Sequence, residues 1–257
     1  MMDGSPTLDL TGHLATLTLH RPALRNSLND DDLNTLLAHF DAINANLDVH
    51  VVVLRADTQG QKSPVFSAGY HVGGFDNDPM APLFFEKIPD ALERLRPVTV
   101  CALNGSVYGG ATDLVLACDF RIAQQGLHWR MPACALGLHY YPSGLRRYVS
   151  RFGLNASKRA FLLGQSLSFD ELAKLNLFEA LVPAEAFEAA LATLTHTLQA
   201  MSPLALQATK KSLNEIGAGL YCEPVLKERS RQSVHSADFA EGRAAFAERR
   251  TPRFTGR

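Results

Sequence analysis

The chain has 257 residues, 46% of them hydrophobic, enough for one large core with a C-terminal appendage. Its 25 basic and 26 acidic residues nearly cancel, which argues against nucleic-acid or membrane-surface binding driven by overall charge. No stretch approaches the roughly 18 apolar residues of a spanning helix, the first ten residues lack the pattern of a secretory signal, and the four cysteines have no metal-type spacing. The expected setting is a reducing cytoplasm.

In chain order, His13 to His20 (HLATLTLH) alternates with period two and predicts a half-buried strand ending at Arg21-Pro22. From Ser27 the spacing changes. Leu33, Leu36, Leu37, Phe40, Ile43 and Leu47 follow a helical period, and Asn29, Asp30 and Asp31 supply cap and dipole chemistry at its start. His50 to Arg55 (HVVVLR) is a continuous apolar strand, so both of its faces should be covered. Strand, helix and strand form a crossover unit.

Val65 to Gly69 is a short apolar run broken at Ala68-Gly69, where backbone N–H groups could leave the sheet edge and meet a ligand. Phe75 to Ala81 reads as a flap or a plain surface loop, and a helix follows over about 83 to 95. Val98 to Leu103 is a strand that ends at Asn104-Gly105. Beyond Gly109-Gly110 a helix-like segment, Leu114 to Ala117, leads to a second strand, Phe120 to Ala123. Two glycines at a helix start allow close approach to N–H groups at the positive end of the dipole, which suits an oxygen that gains negative charge. A tight strand-to-helix connection would carry the same glycines.

The rest is helical. Short helices are expected at 155–163 and 169–175, the second capped by Ser168, followed by helices at 184–201, at 203–216 behind Ser202-Pro203, and at about 223–233. These three late helices carry more apolar positions than a lone appendage should expose, so a symmetric homo-oligomer is expected. The expected division is a core over 1–200 and an oligomerisation region over 201–257.

RPALRNSLN (21–29), FSAGYHV (66–72), NGSVYGGATDLVLACDFRIA (104–123), MPACALGL (131–138) and SPLALQATK (202–210) together resemble the enoyl-CoA hydratase/isomerase, or crotonase, superfamily over nearly the whole chain. The resemblance implies an α/β fold, a ββα-spiral core with a C-terminal helical trimerisation region, and an acyl-coenzyme A thioester as substrate. It implies no cofactor beyond the coenzyme A of that thioester and no metal. Self-association as a homotrimer or a hexamer of two trimers follows from it, with no nucleic-acid or membrane partner.

By position the resemblance places two backbone oxyanion donors on Tyr70, after Ala68-Gly69, and on Gly110. Of the two glutamates usual in the hydratases it leaves Asp113 at the first place and Ala133 at the second, so a hydratase would have to use Asp113 alone. In GSVYGGA (105–111), in Tyr140 after Leu136-Gly137 and in the ending EGRAAFAERRTPRFTGR (241–257) the chain is similar to the methylmalonyl-CoA decarboxylases. There the tyrosine faces the reacting carboxylate, and loss of CO₂ needs no general base. That branch also has a histidine directly after the Ala-Gly pair, where this chain has Tyr70, with His71 one residue later. His139 is a further acid–base candidate. The resemblance implies contacts to coenzyme A from Phe246 and Arg249 of a neighbouring subunit; Ala68 is a further candidate contact, and Arg25, beside Asn26, could meet a phosphate, although the family's usual basic place falls on Ala23. The expected activity is therefore an acyl-CoA lyase, decarboxylase-like or hydratase-like, with a non-catalytic acyl-CoA-binding subunit as the alternative.

Overall fold

A computed structural model describes residues 4–71 and 81–256. The stretch 72–80, which holds most of the expected flap, lies outside the described residues.

One sheet has six strands in the order β1-β2-β3-β5-β7-β10, and a second has four in the order β4-β6-β8-β9. β2 (Leu14–Leu19) buries Ala15, Leu17 and Leu19, as its alternation requires, and runs parallel to β3 (Val51–Ala56), whose Val51 to Leu54 are all buried. β3 pairs in parallel with β5 (Val98–Leu103), and β5 with β7 (Phe120–Gln124). β1 (Thr7–Thr11) pairs antiparallel with β2 and has no counterpart in the sequence reading.

α1 (Asp30–Ala45) starts where the cap residues put it. The Asn29 side chain accepts from the Asp32 N–H while Asp32 accepts from the Asn29 N–H, a complete capping box. The helix stops before Leu47, which is 73% exposed, so the apolar period overran its end by a residue pair. α2 (Ala81–Glu93) carries Pro89 inside it and ends two residues earlier than expected. The crossover segments thus lay their helices on the larger sheet, with Leu33, Leu36, Phe40, Ile43, Phe85, Ile88 and Leu92 in the shared core.

The smaller sheet consists of β4 (Val65–Ser67), β6 (Ser106–Tyr108), β8 (His128–Arg130) and β9 (Leu167–Ser168). Its strands are two or three residues long, too short for an alternation to register, and only the first was anticipated. α3 (Ala111–Ala117) has every residue buried. α4 (Pro142–Leu162) begins with Pro142 in its first turn and is broken at Gly153, whose φ of 71° and ψ of 166° are not helical. Only its second part was expected as a helix.

α5 (Phe169–Ala173) has the Ser168 cap, and Ser168 and Glu171 close another capping box. β10 (Ala180–Val182) completes the larger sheet beside β7. α6 (Phe187–Gln199), α7 (Pro203–Gly217), α8 (Glu223–Val234) and α9 (Ala237–Glu248) follow, with Ser202 capping α7. Lys210 ties α7 to the sheet, its ammonium 2.7 Å from the Pro97 carbonyl and 2.8 Å from Asp119 Oδ2. α9 has no counterpart in the sequence reading; it is a helix capped by Ser236. Among the described residues no helix is long and apolar enough to cross a membrane.

Candidate active site

Two glycine turns meet backbone to backbone at the ends of β4 and β6. A Cβ added to Gly69 would lie 2.7 Å from the Tyr108 carbonyl oxygen and 3.1 Å from the Gly110 nitrogen, so only glycine permits this approach. Gly69 has φ of 92° and Gly109 of 55°, conformations that favour glycine in their own right.

The first turn is held by residues 21–28. Asn26 is 1% exposed; its Nδ2 donates to the Asp57 and Val65 carbonyls at 2.8 and 3.2 Å, and its Oδ1 accepts from the Arg21 N–H at 2.9 Å. The Ser67 hydroxyl donates to the Asn26 carbonyl and accepts from the Gly69 N–H. Leu28 bridges to Tyr70: the Leu28 N–H donates to the Gly69 carbonyl and the His71 N–H to the Leu28 carbonyl. Tyr70 is half-buried, with its hydroxyl 2.5 Å from Asp30 Oδ1 and its ring 5.8 Å from that of Phe85. Ala68 donates its N–H to the Arg25 carbonyl, and the Arg25 guanidinium stands 5.7 Å over the Tyr108 ring, beside the second turn.

A buried polar chain holds the second turn. Trp129 Nε1 donates to the Tyr148 hydroxyl, which donates to the Thr112 hydroxyl at 2.6 Å, which donates to the Gly109 carbonyl at 2.6 Å. The Gly109 N–H donates to the Arg130 carbonyl of β8. Burial pushes the Tyr148 phenol well above its ordinary pKa, so it remains a neutral link. Gly110 begins α3, and the Phe85 ring of α2 lies where a Gly110 side chain would start, 2.8 Å from an added Cβ.

Asp113, in the first turn of α3, does not stand open to a ligand as a catalytic carboxylate would. It is fully buried, and Arg147 of α4, 1% exposed, donates Nε to Oδ1 at 2.8 Å and Nη2 to Oδ2 at 2.6 Å. The Tyr141 hydroxyl donates to Oδ2 at 2.7 Å, so direct contact with a reacting water is taken up by protein donors. Arg147 also pairs with Asp90 at 2.8 Å and Glu93 at 3.2 Å on α2, and Arg146 pairs with Glu93. Burial alone would depress the Arg147 pKa, but the hydrogen bonds and charge of Asp113, with Glu93 and Asp90, raise it, so the cation persists.

Tyr140 stacks on Tyr141 with centroids 4.1 Å apart, and its hydroxyl donates to that of Tyr141 at 2.8 Å. The Tyr140 hydroxyl is therefore engaged with Tyr141. Both phenols are pushed well above their ordinary pKa by burial first and by the nearby Asp113 charge second. Ala133, buried beside Pro132, brings no titratable group to the second place. His71 and His139 are exposed.

The structure thus brings Ala68, Tyr70 and Gly110 together, with Arg25 beside them, and links Asp113 to Tyr140. Phe246 and Arg249 lie elsewhere, at the end of α9, which packs on α8; Phe246 is 87% exposed and Arg249 is the left-handed C-cap. Asp238 of α9 accepts from Ser202 and from the N–H groups of Thr255 and Gly256, which fastens the chain's end. A separate cavity of about 1100 Å³ opens between α2 and α7 and is lined by His13, His50, Arg96 and Lys211 among others; it does not include the glycine turns. Sequence reasoning missed Arg147. A lone carboxylate in the apolar run ATDLVLA demands a buried cation, and Arg147, one turn and a half into a helix begun by Pro142, was the signal for it.

A family model described as enoyl-CoA hydratase/isomerase matches residues 10–257. The 2,3-dehydroadipyl-CoA hydratase of Escherichia coli strain K12 is 27% identical over 246 residues, which span 94% of this chain and 94% of that protein. An enoyl-CoA hydratase/carnithine racemase structure from Magnetospirillum magneticum superposes with a TM-score of 0.90 at 26% identity, covering 99% of this chain and 96% of that one. An enoyl-CoA hydratase structure from Bacillus anthracis gives a TM-score of 0.88 at 25% identity over 99% and 100% of the two chains.

Proposed function

Since the chain belongs to the enoyl-CoA hydratase/isomerase family, we propose that it binds an acyl-coenzyme A thioester at the two glycine turns and catalyses hydration of an enoyl-CoA or the reverse dehydration. The observation that carries this reading is the contact of the turns, in which Gly69, the residue before Tyr70, lies against the Gly110 nitrogen. Two N–H donors there would hold the thioester oxygen as charge builds on it, and backbone donors require no particular side chain. The names of the relatives favour hydration over other enolate reactions.

The proton route is the one these residues offer. A water held at the Tyr140 oxygen would add its oxygen to the β-carbon while its proton passes to Tyr140. The Tyr140 proton then moves to Tyr141 and the Tyr141 proton to Asp113, leaving both phenols neutral and one proton on the carboxyl group. The same chain then runs in reverse, Asp113 to Tyr141 to Tyr140, and Tyr140 would deliver that proton to the α-carbon, so each group regains its starting state. Arg25 and Ala68 are proposed to meet coenzyme A. Phe246 and Arg249 are proposed to cover the coenzyme of a neighbouring subunit in a homotrimer or a hexamer, arginine being suited to phosphate.

A second reading, decarboxylation of a methylmalonyl-CoA-like thioester, is favoured by Ala133 and by the engagement of Asp113 with Arg147, since loss of CO₂ requires no base. Incubation with crotonyl-CoA and separately with methylmalonyl-CoA, followed by mass spectrometry, distinguishes the two. Formation of 3-hydroxybutyryl-CoA, lost in Asp113→Asn, supports hydration. Propionyl-CoA with CO₂ as the sole product rejects it, and tight acyl-CoA binding without turnover of either substrate assigns the chain to a binding role.

A further inference from the structure

Parallel register gathers basic groups at one end of the larger sheet. Leu14 of β2, Val51 of β3 and Val98 of β5 lie side by side, so His13, His50 and Arg96, which come just before them, sit at the starts of three neighbouring strands. Residues 21–28, which hold the first glycine turn, leave from the opposite end of β2. The two imidazole rings stack with centroids 4.2 Å apart and planes 4° from parallel. All three residues line the cavity of about 1100 Å³ between α2 and α7, together with Lys211 of α7.

The other charges of this wall are largely matched. Asp90 pairs with Arg147, Glu93 with Arg146, Glu215 with Arg229 and Lys210 with Asp119. Arg96 has no carboxylate partner: Nη2 donates to the Asn46 and Val49 carbonyls at 2.7 and 3.2 Å, and its buried Nε has no hydrogen-bond partner among the described residues. A cation withdrawn from water without a counter-charge is unfavourable until an anion reaches it. Of the two acids near His50, Asp238 is spent on Ser202 and the Thr255 and Gly256 N–H groups, which leaves Asp48.

His13 Nδ1 lies 2.8 Å from the Asp48 carbonyl and, since a carbonyl only accepts, carries its hydrogen there. Neutral His13 thus keeps a lone pair at Nε2, and protonation turns that nitrogen into a donor. His50 is held below the ordinary imidazole pKa by burial first, then by His13 and Arg96, against the opposing charges of Asp48 and Asp238. An anion among these groups favours the protonated rings. Leu47 and Leu220, 73% and 79% exposed, and Phe254 give the same cavity an apolar wall.

We propose that this cavity is a second binding site, one for an organic phosphate monoester, with the dianionic head on His13, His50, Arg96 and Lys211 and the organic body against Leu47, Leu220 and Phe254. A tetrahedral dianion offers acceptors to several cations at once, where a carboxylate has only two oxygens. The volume is that of a drug-sized ligand and not of a bare ion. The site stands apart from the glycine turns and does not depend on the acyl-CoA reading.

Calorimetric titration of the intact protein tests it, with phenyl phosphate, benzoate, benzyl alcohol and sulfate as probes. Phenyl phosphate should bind with a dissociation constant below about 1 mM and about tenfold more tightly than benzoate, while benzyl alcohol should give no signal. Lys211→Gln and His50→Gln should each weaken phenyl phosphate about two- to fivefold, the scale of a partly exposed charge pair. Sulfate stays dianionic throughout, so its affinity reports the protein: it should rise up to about tenfold from about pH 8 to about pH 5.5, equivalent to one unit of imidazole pKa. The double variant His13→Gln with His50→Gln should flatten that rise. Saturating butyryl-CoA should leave the phenyl phosphate titration unchanged, whereas displacement would make the cavity part of a coenzyme pocket and overturn the proposal. No binding of phenyl phosphate at about 10 mM, equal affinity for benzoate, or titrations unaltered by the variants would overturn it too. Butyryl-CoA that fails to bind at all counts against the acyl-CoA reading and leaves the phosphate result standing. Circular dichroism checks the folding of each variant, and Lys211, being exposed, supplies the comparison if a histidine variant fails to fold.

Discussion

Arg147 and Asp113 form a bidentate ion pair between the second turn of α4 and the first turn of α3, 1% and 0% exposed. Removing one partner strands the other charge in the core. Arg147→Met should therefore cost about 3–5 kcal/mol in urea unfolding, near the usual penalty for breaking a buried pair. The double change Arg147→Met with Asp113→Leu should recover much of that loss, because the desolvated charges leave together. A double variant no more stable than Arg147→Met would count against the pair as the source of the effect.

Gly69→Ala tests the contact between the turns. Its φ of 92° and the 2.7 Å approach to the Tyr108 carbonyl leave the methyl group nowhere to go without moving backbone. A loss of about 1–3 kcal/mol of stability is expected from the backbone strain, read in thermal or urea unfolding. Gly60→Ala, with φ of 79° and open space around it, separates strain from crowding: it should cost less than Gly69→Ala.

Gly110→Ala tests the oxyanion proposal. The new methyl group meets the Phe85 ring at 2.8 Å, and relief requires α2 or the start of α3 to shift, which displaces the Gly110 N–H. Turnover should fall about a hundredfold, the scale of a lost oxyanion donor. Phe85→Leu added to Gly110→Ala should restore part of it by making room. Steady-state kinetics on the pair decides this.

Alkaline titration reports the buried phenols. Tyr140, Tyr141 and Tyr148 are all raised above the ordinary 10.0, so the folded chain keeps their protons where the unfolded chain releases them. Their stabilisation is present below pH 10.0 and falls as pH rises beyond it, since only the unfolded state then gains from ionisation. Ultraviolet difference spectra should show these phenols ionising with unfolding rather than with the exposed tyrosines, and Tyr140→Phe should lessen the slope of stability against pH.

Light scattering tests the proposed assembly. The intact protein should give a mass that is a multiple of three of the 28.1 kDa chain. A monomer at micromolar concentration would remove the role given to Phe246 and Arg249. In the assembled protein, Phe246→Asp should raise KM for acyl-CoA.

Much of the fold was legible where local chemistry decides it. Asn29, Ser168 and Ser202 announced helix starts through their own side-chain bonds, and the Val51 to Leu54 run announced a strand covered on both faces. The smaller sheet was not, since its strands are only two or three residues long. α9 was hidden because Phe239 and Phe246 both remain exposed and no apolar stripe marks one face. The site followed the same division: the glycines were readable as turns, but the partner of Asp113 is 34 positions away, and no periodicity links residues that far apart.

β1 bears on the chain's behaviour at high concentration. Its backbone occupies the outer edge of β2, whose other side is already paired with β3, and β1 itself is polar and mostly exposed, TLDLT with Asp9 at its centre. It functions as a sacrificial margin, a charged selvedge on a sheet whose inner strands are almost wholly aliphatic. A chain shortened to begin at Gly12 would present the naked edge of LATLTL to its neighbours, and edge-to-edge pairing between molecules, visible as turbidity on concentration, is the expected result.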